Sequence, residues 1–203
     1  MPRAQRREQI ARTAATVFMR GGFDGTSMDD VAREAGVTRL IVYRIFESKE
    51  DLYRAVLDLV IDDLAASFEG PVRMSPEVDD QQRSIAGVLL GVARRHPDAF
   101  RLLWRHSAHE PMFRELANLF KVAVTNYAIA LFEPSMADAT MRRWAAESVV
   151  SHLYESVCLW LDDGDERRDA EFLALITEGI RAMVTRWIEI AADSTGAPKG
   201  GPA

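Results

Sequence analysis

The 203-residue chain is poor in several features that would direct it elsewhere. It holds one cysteine, Cys158, so no internal disulfide is available and a reducing compartment is expected. No apolar run approaches the roughly 18 residues that span a bilayer. The opening stretch, MPRAQRREQI, has no apolar segment behind its arginines, so neither a membrane span nor a secretory signal is expected. The localisation this implies is cytoplasmic. Sustained strand alternation, a glycine-rich phosphate loop and an internal repeat are all lacking. Excess positive charge is lacking too: 25 Lys and Arg stand against 31 Asp and Glu, a net of −6 that at face value argues against a nucleic-acid partner.

What is present is helical periodicity and unevenly placed charge. Residues 1–46 carry eight arginines and five acids, a net of +3, which leaves −9 on residues 47–203. Such asymmetry points to a basic contact surface on an otherwise repelling body. Three of those arginines, Arg3, Arg6 and Arg7, fall in the first seven residues, where a solvated terminus is the ordinary reading.

Ile10, Ala14, Val17 and Phe18 share one helix face, and Gly21-Gly22 stops that helix. Thr26 and Ser27 offer hydroxyl caps to a second helix, with Asp29 at capping-box spacing from Thr26. Met28, Val31, Ala32 and Ala35 give it a stripe of small apolar residues. Gly36 ends it, Thr38 is expected to cap a third helix through its hydroxyl, and Phe46 closes that one. Ser48 caps a fourth, with Asp51 three residues on and Leu52, Val56, Leu59 and Val60 on its buried side. A glycine between two short helices with small inward faces lets them cross steeply, so residues 26–46 read as a helix-turn-helix. Arg39, Tyr43 and Arg44 lie on the outward side of its second helix. Arginine reads guanine at the major-groove edge, tyrosine binds a phosphate or packs on a thymine methyl, and the bulky Leu40 and Ile41 suit thymine methyls as well. Lys49, beside the Ser48 cap, suits a phosphate at the start of the fourth helix.

These positions resemble the TetR (tetracycline-repressor) family of bacterial transcription regulators. The match runs through Gly22-Phe23, Thr26-Ser27-Met28, Val31-Ala32, Ala35-Gly36-Val37-Thr38, Tyr43, Phe46, Ser48-Lys49-Glu50 and Leu52, within about residues 8–55. The resemblance implies an all-α fold, with an N-terminal three-helix helix-turn-helix DNA-binding domain and a helical ligand-binding and dimerisation domain. It also implies a dimeric repressor that leaves DNA when a small molecule binds. By family position, Thr26 and Ser27 contact the DNA backbone, Thr38, Arg39, Leu40 and Ile41 form the groove-facing edge, and Tyr43 and Lys49 anchor phosphates; Arg44 completes the candidate DNA-binding set. Two positions depart from the pattern. Leu40 stands where glycine, alanine or proline is frequent, and Ile45 where a phosphate-contacting histidine or tyrosine is common.

The expected domains are 1–47 for the DNA-binding head, 48–192 for the regulatory body and 193–203 for a disordered tail. Within the body, Gly70-Pro71 and the polar stretch through Gln82 read as a connection. Helices are expected over 83–95, 98–107, 112–132, 138–162 and 169–191. The last two are apolar on two faces, which points to a second subunit. Val149, Leu153, Val157, Trp160, Ile176, Ile180, Met183 and Trp187 are the candidate dimer interface, and the resemblance implies the same helix pair. Gly179, mid-helix, weakens its helix by about 1 kcal/mol unless close helix approach offsets it. A ligand pocket is assigned to Phe100, Trp104, Phe113, Phe120 and Tyr127, with His152 as a polar lining group and His106, His109 and Asn126 as further polar candidates. His106, His109 and Glu110 are the one spacing that suggests a metal, and Cys158 the one candidate nucleophile.

The resulting expectation is a non-enzymatic regulator with no cofactor and no metal. Its partners would be double-stranded DNA with a palindromic operator, a second copy of the chain and a partly apolar small molecule. The alternatives are a helical metal-dependent enzyme and a DNA-binding regulator that uses no ligand.

Overall fold

Local turn chemistry sets the first four helices. The computed structural model describes residues 2–68, 84–107, 110 and 112–195. Helix α1 (Arg3–Gly21) buries Ile10, Ala11, Ala14, Ala15, Val17 and Phe18, and ends where Gly22 takes a φ of 68°. Helices α2 (Met28–Glu34) and α3 (Arg39–Ile45) are joined through Gly36, whose φ is 64°. A Cβ at Gly36 would meet open space, so the left-handed backbone, not crowding, calls for glycine there. Helix α4 (Lys49–Phe68) starts at Ser48, whose Oγ accepts from the Asp51 N–H at 3.1 Å, and buries residues from Leu52 through Leu64. At about 30 Å, its 20 residues reach from the head into the body.

The body adds α5 (Ile85–Arg95), α6 (Pro97–Arg101) running into a π-helical turn over Leu102–His106, α7 (Arg114–Phe132), α8 (Ala139–Asp163) and α9 (Asp169–Thr195). No strand occurs among the described residues, so the fold is all-α as expected. Among them, too, no helix is long and apolar enough to cross a membrane. Helix α8 packs against α5, α7 and α9, while α4 packs against α1, α5 and α6. The break expected between residues 47 and 48 is therefore not a break in packing, because one continuous core runs through both parts.

At the junction, four rings meet. Tyr53 lies 4.9 Å from Phe18 and 5.3 Å from Phe23, both edge-on, and 4.4 Å from Phe113. Phe23 also meets Phe113 at 5.3 Å. Polar ties flank the rings: Thr16 donates to Asp98 at 2.6 Å and Arg12 to the Arg95 carbonyl at 3.2 Å. Arg95 binds Asp63 through two nitrogens at 2.8 and 3.0 Å, with the His96 Nε2 at 3.1 Å from the same carboxylate. Further into the body, Asp169 accepts two bonds from Arg94 and one from the Trp160 indole.

The end of the chain corrects one expectation. Helix α9 runs on to Thr195, three residues into the segment expected to be disordered, because Ile190-Ala191-Ala192 carries the helix forward and its last turn tolerates polar residues. Residues 196–203 and the connection at 70–82 lie outside the described residues.

Two outcomes follow from this junction. Phe113→Ala removes a ring that is 1% exposed, so urea denaturation should register a loss of about 3–5 kcal/mol; a loss under about 1 kcal/mol would show the ring to be dispensable. His96 is held below its ordinary range by burial and by the nearby Arg12 cation, and the opposing pull of Asp63 does not reverse this. The folded state thus keeps His96 neutral while the unfolded chain takes up a proton below about pH 6.5. Stability contributed at pH 7.5 should fall as pH drops from about 6.5 toward 5, and His96→Gln should flatten that part of a melting-temperature profile.

Candidate nucleic-acid interface

The head presents a short helix whose inner side is fully occupied. Val42 and Phe46 are buried, Ile41 and Ile45 are half-buried, and Thr38, Arg39, Leu40, Tyr43 and Arg44 are exposed. Leu40 is 66% exposed, an unusual position for leucine on a helix with nothing packed over it. Thr38 occupies the N-cap position of α3 without the expected side-chain cap bond and is exposed.

Arg39 is held by its neighbours. Its Nη1 donates to Asp29 Oδ2 at 3.0 Å, its Nη2 lies 3.4 Å from the Tyr43 hydroxyl, and its guanidinium sits over the Tyr43 ring at 5.1 Å. Lys49 donates to the Phe23 carbonyl at 2.7 Å and lies over the Phe23 ring at 4.3 Å. An ammonium has three donors, so this bond leaves others for a phosphate.

Helix α2 is capped differently from the sequence expectation. The capping box pairs Ser27 with Asp30, not Thr26 with Asp29: Ser27 Oγ accepts from the Asp30 N–H at 3.2 Å, and Asp30 accepts from the Ser27 N–H at 3.0 Å. The Ser27 hydroxyl and N–H, with Arg33 nearby, hold the Asp30 carboxyl below the usual range. Thr26 is 4% exposed and its hydroxyl donates inward to the Gly22 carbonyl at 2.8 Å. The side-chain DNA contact expected of Thr26 is therefore not available in this arrangement, whereas Ser27 is exposed.

Two residues of the head went unnoticed in the sequence. Arg7, counted with the solvated terminus, donates to the Ile45 carbonyl at 3.2 Å and to Asp51 at 3.1 Å, and covers the Phe46 ring at 4.5 Å. It ties the end of α3 to α1 and α4. Asp29, read only as a cap, reaches across the turn to Arg39. Their partners lie 10 (Asp29 to Arg39), 38 and 44 (Arg7 to Ile45 and Asp51) residues away and on other helices, so no i, i+3 or i, i+4 pattern signals them.

Comparison with known proteins supports the same assignment. The family described as "Bacterial regulatory proteins, tetR family" matches residues 10–56. The chain is similar to the HTH-type transcriptional activator FasR of Mycolicibacterium smegmatis, at 27% identity over 168 residues, 80% of this chain and 75% of that one. The HTH-type transcriptional repressor ComR of Escherichia coli is 35% identical over 68 residues, 34% of this chain and 32% of ComR. Among solved structures, a tetR-family transcriptional regulator from Streptomyces coelicolor gives a TM-score of 0.67 at 25% identity, covering 95% of this chain and 86% of that one. The head, residues 10–56, thus matches the TetR family's DNA-binding model, and the chain as a whole is similar to TetR-family regulators. It is a DNA-binding transcription regulator, and its relatives are regulators, not enzymes.

In the body the candidate pocket residues do not converge. Phe100 and Phe113 are each 1% exposed and filled by neighbours: Phe100 stacks on Tyr154 at 5.7 Å, and Phe113 belongs to the junction rings. Trp104 is sandwiched between Tyr154 at 4.5 Å and the Lys121 ammonium at 4.8 Å. Tyr127 is 49% exposed near Phe68, and His152 lies on the exposed side of α8. These are core and surface positions, because an aromatic stripe at helical spacing does not say whether its inner side is filled. The Phe120 side chain and His109 lie outside the described residues. Cys158 is buried, and burial pushes its thiol up to about 12, far from a thiolate at neutral pH.

The candidate dimer residues also divide. Leu153, Val157 and Ile176 are buried in the subunit's own core, at 6%, 0% and 8% exposure, and are not free to meet a second chain. Trp160 stacks on Phe172 at 4.9 Å and donates to Asp169. Val149, Ile180, Met183 and Trp187 are half-buried, with Trp187 against Trp144 at 4.7 Å. The large apolar residues that α8 and α9 leave exposed are Met141, Trp144, Leu159, Leu175 and Ile190.

Lys49→Ala should weaken binding evenly across DNA sequences and lower the slope of log affinity against log salt by about one. Fluorescence anisotropy over a salt series on several duplexes measures this, and a loss confined to particular sequences would contradict a phosphate role for Lys49.

Proposed function

We propose that the protein is a dimeric repressor that reads a palindromic operator with one α3 per subunit and is released by a partly apolar small molecule. The carrying observation is the outward edge of α3, where Arg39, Leu40, Tyr43 and Arg44 stand exposed on a head of net charge +3. Ser27, Thr38, Ile41 and Lys49 flank that edge. In such dimers the two reading helices enter major grooves about 34 Å apart, which makes half-site spacing a geometric consequence of the interface. Residues 1–47 act as the head and 48–192 as the body in this reading.

The exposed apolar side of α8 and α9 supports dimerisation. On α9, Leu175 is 75% exposed and Ile190 49%, with the small residues Gly179 and Ala182 between them on the exposed side. A Cβ at Gly179 would meet nothing in its own subunit, so the helix-weakening glycine has no reason within one chain. A second α9 approaching closely supplies one. Transmission would run through α4, since one continuous helix contributes Tyr53 to the junction rings and Leu64 to the body core. A ligand that shifts the body then shifts the spacing of the heads by population shift.

A second reading, activation, is favoured by a relative matched over most of the chain, whose name is that of an activator. Purified protein titrated on its own upstream region, together with a reporter under that region, separates the two readings: repression predicts that deleting the gene raises transcription. Leu175→Glu, at a position too exposed to disturb the fold, should convert a dimer to a monomer by light scattering and cut operator affinity at least tenfold. A monomeric wild type, or a Leu175→Glu dimer of unchanged affinity, would remove α9 from the interface.

A further inference from the structure

We infer that Asp29 is a positioning residue for base reading, holding the Arg39 guanidinium across Tyr43 so that the arginine engages a base edge and not the phosphate backbone. The inference rests on α3 being the recognition helix and extends that reading to a residue outside the expected contact set.

The geometry begins with two helix starts. Asp29 is the second residue of α2 and Arg39 the first of α3, so the turn at Gly36 brings their side chains together. Arg39 gives one N–H to Asp29 at 3.0 Å and turns another toward the Tyr43 hydroxyl at 3.4 Å. A guanidinium carries five N–H donors in a planar fork, so three are left unused by these two bonds. The assembly is open to solvent, with the Arg39 and Asp29 side chains 64% and 47% exposed. It therefore stands on the surface that would meet the duplex.

Folding gives only part of the reason for an aspartate here: an acid in the first turn of α2 suits the positive end of its dipole, a small gain at an exposed site. The start of α2 is already closed by the reciprocal Ser27–Asp30 box. An exposed ion pair returns little stability. One oxygen of the same carboxylate, Asp29 Oδ1, is buried without a hydrogen-bond partner, which costs stability. Read as part of DNA recognition, the arrangement makes sense. A long arginine free to move among phosphates adds affinity that is blind to sequence. A fixed carboxylate beside it repels phosphate, ties the cation to one position over Tyr43 and leaves its remaining donors unused. The acid thus lowers affinity for all DNA while sharpening the choice among sequences.

The test compares wild type, Asp29→Asn, Arg39→Ala and the double variant by selecting bound duplexes from a random-sequence pool, and by measuring affinity for one non-specific duplex. Melting temperatures establish that each variant is folded. Asp29→Asn keeps the side-chain size and removes the charge. It should raise non-specific affinity several-fold and weaken preference at the symmetric pair of positions that Arg39→Ala flattens. The preference lost there should be at least about fivefold, the lower end of what one arginine–guanine pair contributes. In the Arg39→Ala background, Asp29→Asn should change the selected sequences no further. If Arg39→Ala flattens those positions and Asp29→Asn leaves them as in wild type, the role of Asp29 is overturned while α3 remains the recognition helix. Equal loss of specific and non-specific affinity in Asp29→Asn would mark the acid as structural only and also overturn it. A wild type that retains no duplex would bring down the DNA-reading proposal itself, and this inference with it.

Discussion

The contact on which the rest of the molecule depends is the meeting of Phe18, Phe23, Tyr53 and Phe113. Phe18 and Phe23 belong to the head, Tyr53 to the helix that leaves it, and Phe113 to the turn ahead of α7. All four are buried, so the head cannot tilt on the body without repacking them. Aromatic burial of this kind amounts to several kcal/mol, while exposed ion pairs contribute at most about 1 kcal/mol each. The rings thus decide that head and body are joined. The directional bonds beside them, Thr16 to Asp98 and Arg12 to the Arg95 carbonyl, decide in which register.

A second layer of constraint lies inside the head. Helix α3 has seven residues, too short to be stable by itself, and only Val42 is fully buried along it. Its placement depends on groups at both ends. Phe46, 0% exposed, and the Arg7 clamp hold the C-terminal end, and the Asp29–Arg39 pair bridges the N-terminal end back to α2. A recognition surface carried on so short an element takes its precision from what surrounds it.

Much of this was legible in the sequence where the determinant is local. Gly36 stands where the backbone turns left-handed, Ser48 caps α4 with Asp51 as the spacing requires, and Val31, Ala32 and Val42 form the small inward faces of the crossing pair. What was not legible depends on contacts between distant segments. Arg7 meets Ile45, 38 residues away, and no spacing rule marks it. The body was harder still. Helices α8 and α9 are apolar on two sides, and periodicity cannot say which stripe faces inward, so Leu153, Val157 and Ile176 looked like interface and are core. Phe100 and Phe113 misled for the same reason: an aromatic at helical spacing lines a cavity or fills one, and only the packed neighbours distinguish the two. Thr26 and Ser27 both suit a cap, but the buried Thr26 hydroxyl is tied inward to the Gly22 carbonyl, which leaves the exposed Ser27 to accept from the Asp30 amide.

The charge balance takes on a different meaning once the pairs are known. Four of the five acids in residues 1–46 accept from an arginine of the same segment: Glu8 from Arg12, Asp29 from Arg39, Asp30 from Arg33 and Glu34 from Arg20. Cancelling these pairs leaves Arg3, Arg6, Arg7 and Arg44 against Asp24, which is the whole of the segment's +3, although Arg7 also meets Asp51 just outside the segment. Three of these arginines lie at the start of α1 and the fourth near the end of α3, and the Arg7 bond to the Ile45 carbonyl brings those two ends together. The excess charge is therefore gathered at one end of the recognition helix and not spread over the head. That end also carries the negative pole of the helix dipole, which the arginines neutralise. If α3 reads DNA as proposed, a phosphate strand would be drawn to this end first, while the paired Arg39 at the other end would stay uncommitted until a base edge came within reach. On that reading charge sets where the head docks, and the arginine held by an acid discriminates.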